Sequence, residues 1–106
     1  MLRALTRLLK AQGFDARPFS TAEAFLDDDS VNEADCLVLD IGLTGMSGIE
    51  LAQRMNAYGS AVPILLITGL NTEEVHAEAM KTGCIAYLRK PFPARRLLSA
   101  IETALP

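Results

Sequence analysis

The chain has 106 residues, half of them hydrophobic and 22% charged, with a formal net charge of −3. That length suits one domain around one core, and the composition excludes a disordered chain. The acidic balance argues against direct nucleic-acid binding by this segment, which needs clustered Lys and Arg, and no apolar stretch approaches the ~20 residues that cross a bilayer.

Residues 1–12 read as a helix, with Leu2, Leu5, Leu8 and Leu9 on one face and Gly13 as its stop. Residues 14–19 read as a short strand, placed at an edge by Pro18. Ser20 or Thr21 then caps a helix through Leu26, with Glu23 at capping-box distance from Ser20. Asp27, Asp28, Asp29 and Ser30 read as a loop. Cys36-Leu37-Val38-Leu39 is an uninterrupted apolar strand, as expected where both sheet faces are covered. Ser47 caps a helix over residues 48–58, which Gly59 ends.

Pro63-Ile64-Leu65-Leu66-Ile67 is a second apolar strand. Thr72 caps a helix over residues 73–82 whose Glu73, Glu74 and Glu78 suit its N-terminal half, and Gly83 closes it. Residues 84–88 form a last strand, followed by Arg89-Lys90-Pro91. Pro93 opens a final helix that buries Leu97, Leu98, Ile101 and Leu105.

The order is α-β-α-β-α-β-α-β-α, which predicts an open parallel α/β sheet with helices on both faces, a three-layer fold. The start breaks the alternation. Every later helix follows a strand, whereas the first follows nothing and lacks an N-cap residue, so the expectation is that an initial strand is absent. With no leader sequence, cytoplasmic residence is the default. Cys36 and Cys84 read as small core residues without a disulfide. His76 and the pair Arg95-Arg96 read as exposed helix residues.

Three chemically useful residues close the three apolar strands: Asp40, Thr68 and Lys90. The C-terminal edge of an open parallel sheet is where ligands bind. A carboxylate can attack an activated phosphoryl group and form an acyl phosphate. A neighbouring ammonium and hydroxyl can then bind the phosphoryl oxygens, because such transfer needs positioning and charge compensation above all. Lys90 precedes Pro91, which restricts it to an extended conformation and favours a turn that can hold a cis bond.

Leu37-Val38-Leu39-Asp40 with Gly45-Met46-Ser47-Gly48, then Pro63-Ile64-Leu65-Leu66-Ile67-Thr68-Gly69, then Gly83-Cys84-Ile85-Ala86-Tyr87-Leu88-Arg89-Lys90-Pro91-Phe92 stand in order. Together they resemble the receiver domains of two-component response regulators, the CheY-like, flavodoxin-like fold. Phe19-Ser20-Thr21-Ala22-Glu23 and Lys90-Pro91-Phe92 look most like receivers of helix-turn-helix transcription regulators. The resemblance covers nearly the whole chain and implies one receiver domain over residues 1–106. It implies that Asp40 takes a phosphoryl group from a sensor histidine kinase, that Thr68 bonds a phosphoryl oxygen and shifts, that Lys90 pairs with the phosphate, and that Tyr87 turns inward with Thr68. It also implies Mg²⁺ on Asp40 and the Gly42 backbone carbonyl, and an output and dimerisation face over residues 73–82, 84–88 and 94–105.

The sequence departs from the family in two places. The family's first strand ends in acidic residues that share the metal with the phosphorylated Asp; nothing in residues 1–14 matches them, so the metal site is incomplete as written. Thr44 stands where most members have Pro. In the family order, 2-1-3-4-5, the first strand lies inside the sheet, so its absence leaves open edges. These could close on each other, pair with another chain, or belong to a longer polypeptide; the last is expected, with some oligomeric contact. Two other functions compete with the phosphoacceptor. One is a receiver-like interaction module that is not phosphorylated. The other is an aspartyl phosphatase, which needs an acid/base two residues after its nucleophile, where this chain has Gly42. The receiver reading makes the chain a phosphoacceptor rather than an enzyme.

Overall fold

The computed structural model describes residues 2–28, 33–42, 45–69 and 72–105. The elements run α1 (Leu2–Ala11), α2 (Ala22–Leu26), β1 (Leu37–Asp40), α3 (Gly48–Ala57), β2 (Ile64–Thr68), α4 (Glu73–Lys81), β3 (Ala86–Arg89) and α5 (Ala94–Ala104). Three helices carry the hydroxyl caps that their sequences predict. Thr21 Oγ1 accepts from Ala24 N–H, Ser47 Oγ from Glu50 N–H and Thr72 Oγ1 from Val75 N–H, at 3.0, 3.1 and 3.2 Å. Each satisfies a donor that the helix leaves without an internal partner. Pro93 stands at the N-cap of α5 without a side-chain hydrogen bond.

The strands pair in parallel in the order β1-β2-β3. Alternation along them splits the core into two layers. Leu37, Leu39, Ile64 and Leu66 pack with Phe25, Ile49, Leu51 and Met55 on one face. Leu65, Ile67 and Leu88 pack on the other face with Leu97 and Ile101, backed by Leu5 and Leu9. Every residue of the central strand β2 is buried, the pattern of a strand covered on both sides. Cys36 joins the second layer and Cys84 the first, so the two thiols lie on opposite faces and neither forms a disulfide.

Two expectations need correction. Residues 14–19 form no strand, so the sheet has three strands among the described residues where the sequence predicts four. A groove of about 670 Å³ separates this segment from the outer edge of β1, with Leu5, Leu9, Phe25 and Leu97 among its walls. An extended segment becomes a strand only where a neighbour supplies its ladder, and here the neighbour is a groove width away. Of the three outcomes open for the sheet edges, closure of residues 14–19 onto β1 is not realised among the described residues. Second, the three strands sit one or two residues later than predicted. The apolar pattern stops at Asp40 and Thr68, but the ladder carries on through Ile41 N–H to Ile67 O and Lys90 N–H to Thr68 O, both 2.8 Å. Asp40 and Thr68 are thus the last residues of strands rather than the first of loops. Asp29, Ser30, Thr44 and the side chain of Leu2 lie outside what is described.

Two measurements follow from this packing. Leu66 is fully buried at the centre of the sheet, whereas Tyr58 is 71% exposed. Leu66→Ala should lower the unfolding free energy by about 2–5 kcal/mol, and Tyr58→Ala should leave the urea midpoint close to that of the parent. Burial, then the charge of Asp35, pushes the Cys36 thiol up to about 11. Cys36 should therefore alkylate slowly with iodoacetamide near pH 7 and speed up as the pH approaches that value.

Candidate functional site

The parallel sheet brings three predicted residues to one edge. β2 lies between β1 and β3, so Thr68 at its end falls between Asp40 on one side and Lys90 on the other. The outer strands are two spacings apart, roughly 9.6 Å, and only a long side chain can cross that gap. Lys90 does so. Its Nζ donates to Asp40 Oδ2 at 2.7 Å, with side-chain exposures of 32% and 19% for Lys90 and Asp40. The stem passes over Gly69, where an added Cβ would stand 4.0 Å from Lys90 Cδ. The Lys90–Pro91 peptide is cis.

The second carboxylate oxygen of Asp40 is held by its own loop: Gly42 N–H donates to Oδ1 at 2.9 Å. Gly48 closes that loop against the strand, since a Cβ there would be 2.8 Å from the Asp40 carbonyl oxygen. The carboxylate is thus oriented by one main-chain donor and one ammonium, and remains partly open to solvent. Thr68 is buried, 1% exposed, directly beside it in the sheet order. Such an edge can present a carboxylate oxygen to an incoming electrophile and keep a cation in place for the charge that arrives.

Tyr87 lies in β3 and packs against the layer that includes Val75 and Ala79 of α4. Its ring meets His76 edge-to-face, centroids 5.0 Å apart at 71°. Partial desolvation raises the phenol above its ordinary value, with Arg89 opposing and Cys84 adding. His76 is exposed as its sequence suggests, but its ring contact with Tyr87 carried no sequence signal.

Glu23 is also more than its local pattern suggests. Thr21, not Ser20, caps α2. Glu23 Oε1 instead accepts the Met46 N–H at 3.0 Å, across 23 residues of sequence. It therefore touches the loop that follows Asp40.

Mg²⁺ takes near-octahedral oxygen coordination, commonly one or two carboxylates completed by water and substrate phosphate. Asp40 and the Gly42 carbonyl would be its ligands here, yet both Asp40 oxygens already hold partners. Among the described residues no group of three or more His, Cys, Asp or Glu side chains could hold a metal ion. Asp27 and Asp28 are exposed just beyond α2 and belong to no such group. The described donors do not by themselves make a metal site.

Comparisons with known proteins identify the family. The chain is 41% identical over 105 residues to the transcriptional regulatory protein FixJ of Bradyrhizobium diazoefficiens, covering 99% of this chain and 51% of that protein. It is 36% identical to the response regulator protein TmoT of Ectopseudomonas mendocina, covering 99% and 48%. It spans about half the length of the curated relatives it matches. Among solved structures it is similar to the response regulator StyR, with TM-score 0.88 and 40% identity over 99% of this chain and 53% of that one. The FixJ-N crystal structure gives TM-score 0.85 and 32% identity, covering 96% of this chain and 82% of the other. A model described as the response regulator receiver domain matches residues 1–102, and the chain belongs to that family.

Proposed function

We propose that residues 1–106 form one receiver domain that accepts a phosphoryl group on Asp40 from a sensor histidine kinase and passes the change to the α4-β3-α5 face. The observation that carries this reading is the 2.7 Å contact between Lys90 Nζ and Asp40 Oδ2 at the C-terminal sheet edge. Receiver domains of this family work with sensor histidine kinases and often dimerise, and they are not enzymes in the usual sense. In the transfer, the P–N bond of a kinase phosphohistidine breaks and a P–O bond to an Asp40 oxygen forms. The ring nitrogen recovers its electron pair and takes a proton from solvent. Lys90 exchanges a carboxylate oxygen for a phosphoryl oxygen, so the ion pair is remade rather than lost. Thr68 offers its hydroxyl to a second phosphoryl oxygen, and Tyr87 follows Thr68 inward, away from His76.

Gly42 stands where a phosphatase would need a proton donor, and it contributes only its main-chain N–H to Asp40. The acyl phosphate is therefore built to be held as a signal rather than turned over. The relatives named as transcriptional regulators are about twice as long as this chain. The proposed role is the input half of such a regulator, in the cytoplasm and without direct nucleic-acid contact by this segment. Among the described residues no helix is long and apolar enough to cross a membrane.

A second reading starts from the described metal-ligand set, which is Asp40 and the Gly42 carbonyl. With no group of metal-holding side chains among the described residues, the chain would serve as a receiver-like interaction module that does not phosphorylate. Incubation with acetyl phosphate and Mg²⁺ separates the two. The first reading expects a mass gain of one phosphoryl group that vanishes in Asp40→Asn; no gain in the parent favours the module.

Met80 and Ile85 are 44% and 48% exposed on the α4-β3 side, suited to pairing through residues 73–105, while the outer edge of β1 is the other candidate surface. If the first surface is used, sedimentation should show a concentration-dependent dimer that Ile85→Arg abolishes. A dimer that survives this substitution would move the contact to the β1 edge.

A further inference from the structure

We propose that Glu23 is a positioning residue for Asp40, a carboxylate on α2 that clamps the loop between β1 and α3. This rests on the reading of Asp40 as the phosphoacceptor. Three sets of contacts hold the described residues of that loop. At its start, Ile41 N–H continues the ladder to Ile67 O at 2.8 Å and Gly42 N–H donates to Asp40 Oδ1 at 2.9 Å. At its end, Gly48 lies against the Asp40 carbonyl and Ser47 caps α3. Between them, Glu23 reaches in from α2, and its Oε1 takes the Met46 N–H at 3.0 Å.

Gly45 and Met46 fit closely around this carboxylate. Gly45, with φ +79°, adopts a left-handed conformation that favours glycine. A Cβ at that position would stand 3.1 Å from Glu23 Oε2. The glycine therefore serves both the turn and the close approach of the acid. An ionised acceptor on a main-chain N–H is among the stronger hydrogen bonds. Its loss frees the middle of the loop while Ile41 stays on the ladder and Ser47 at the cap of α3. The consequence reaches Asp40 through Gly42: a loop that rises from the sheet edge draws the Gly42 N–H away from Oδ1. The carboxylate is then held by Lys90 alone and turns with it, so fewer molecules present an oxygen in line with an incoming phosphoryl group.

The test pairs Glu23→Ala with Glu23→Gln, whose amide oxygen can still accept the Met46 N–H. Amide hydrogen exchange read by NMR at Met46 and Gly42 reports the clamp directly, and the rate of phosphoryl uptake from acetyl phosphate reports its effect on Asp40. Glu23→Ala should speed exchange at both amides and slow uptake roughly three- to tenfold, the scale of one ordinary net hydrogen bond. Glu23→Gln should stay near the parent in both and in thermal unfolding, while Glu23→Ala should unfold a few degrees lower yet remain folded at the assay temperature. Unchanged exchange at Met46 and Gly42 in Glu23→Ala overturns the clamp. Faster exchange with undiminished uptake overturns its role in positioning Asp40 and leaves only a structural tether. A parent that takes up no phosphoryl group overturns the phosphoacceptor reading and the positioning role with it, and the exchange data then report the contact alone.

Discussion

The bond between Lys90 and Asp40 ties the two outer strands of the sheet across the end of the middle one. Its geometry depends on everything beneath it. Parallel pairing must bring the C-terminal ends of β1, β2 and β3 to the same edge, and the order β1-β2-β3 must put Thr68 between acid and base. The register, with Asp40 beside Ile67 and Thr68 beside Arg89, sets the height of each side chain. The two apolar layers hold that register, because a slip of one residue would turn every side chain of a strand to the opposite face. Ile64 and Leu66 belong to one layer and Leu65 and Ile67 to the other, so such a slip in β2 would disrupt both layers at once.

The same edge explains why a partly exposed pair suits signalling. A fully buried ion pair resists change, since removing one partner leaves a charge without compensation. Asp40 and Lys90 keep some access to water, so under the proposed phosphoacceptor role the lysine could follow charge from carboxylate to phosphate. Tyr87 meets His76 edge-to-face and packs against the α4 layer, the position that its proposed switch role calls for.

Much of this was legible in the sequence because it depends on local patterns. The fully apolar runs at residues 36–39 and 63–67 announced strands covered on both faces, and Ser47 and Thr72 announced helix starts that the structure realises. The convergence of Asp40, Thr68 and Lys90 followed from placing each after its own buried strand. Residues 14–19 failed because strand character needs a partner at ladder distance, and period-two patterning says nothing about where the partner lies. The strand ends shifted because hydrogen bonding continues past the point where apolarity stops. Glu23 was legible only as a capping residue. Its bond to Met46 spans 23 positions, and a single sequence carries no signal for a contact of that range. The meeting of His76 and Tyr87 was hidden for the same reason.

The central claim is that Asp40 is the carboxylate that carries the phosphoryl group. An acyl phosphate is reduced by borohydride to the alcohol, which turns a phosphorylated aspartate into homoserine and marks its position permanently. Peptide mapping after phosphorylation and borohydride treatment should find homoserine at position 40 and at no other aspartate. Homoserine at a different aspartate, or none at all from a protein shown to have gained phosphate, would contradict the account.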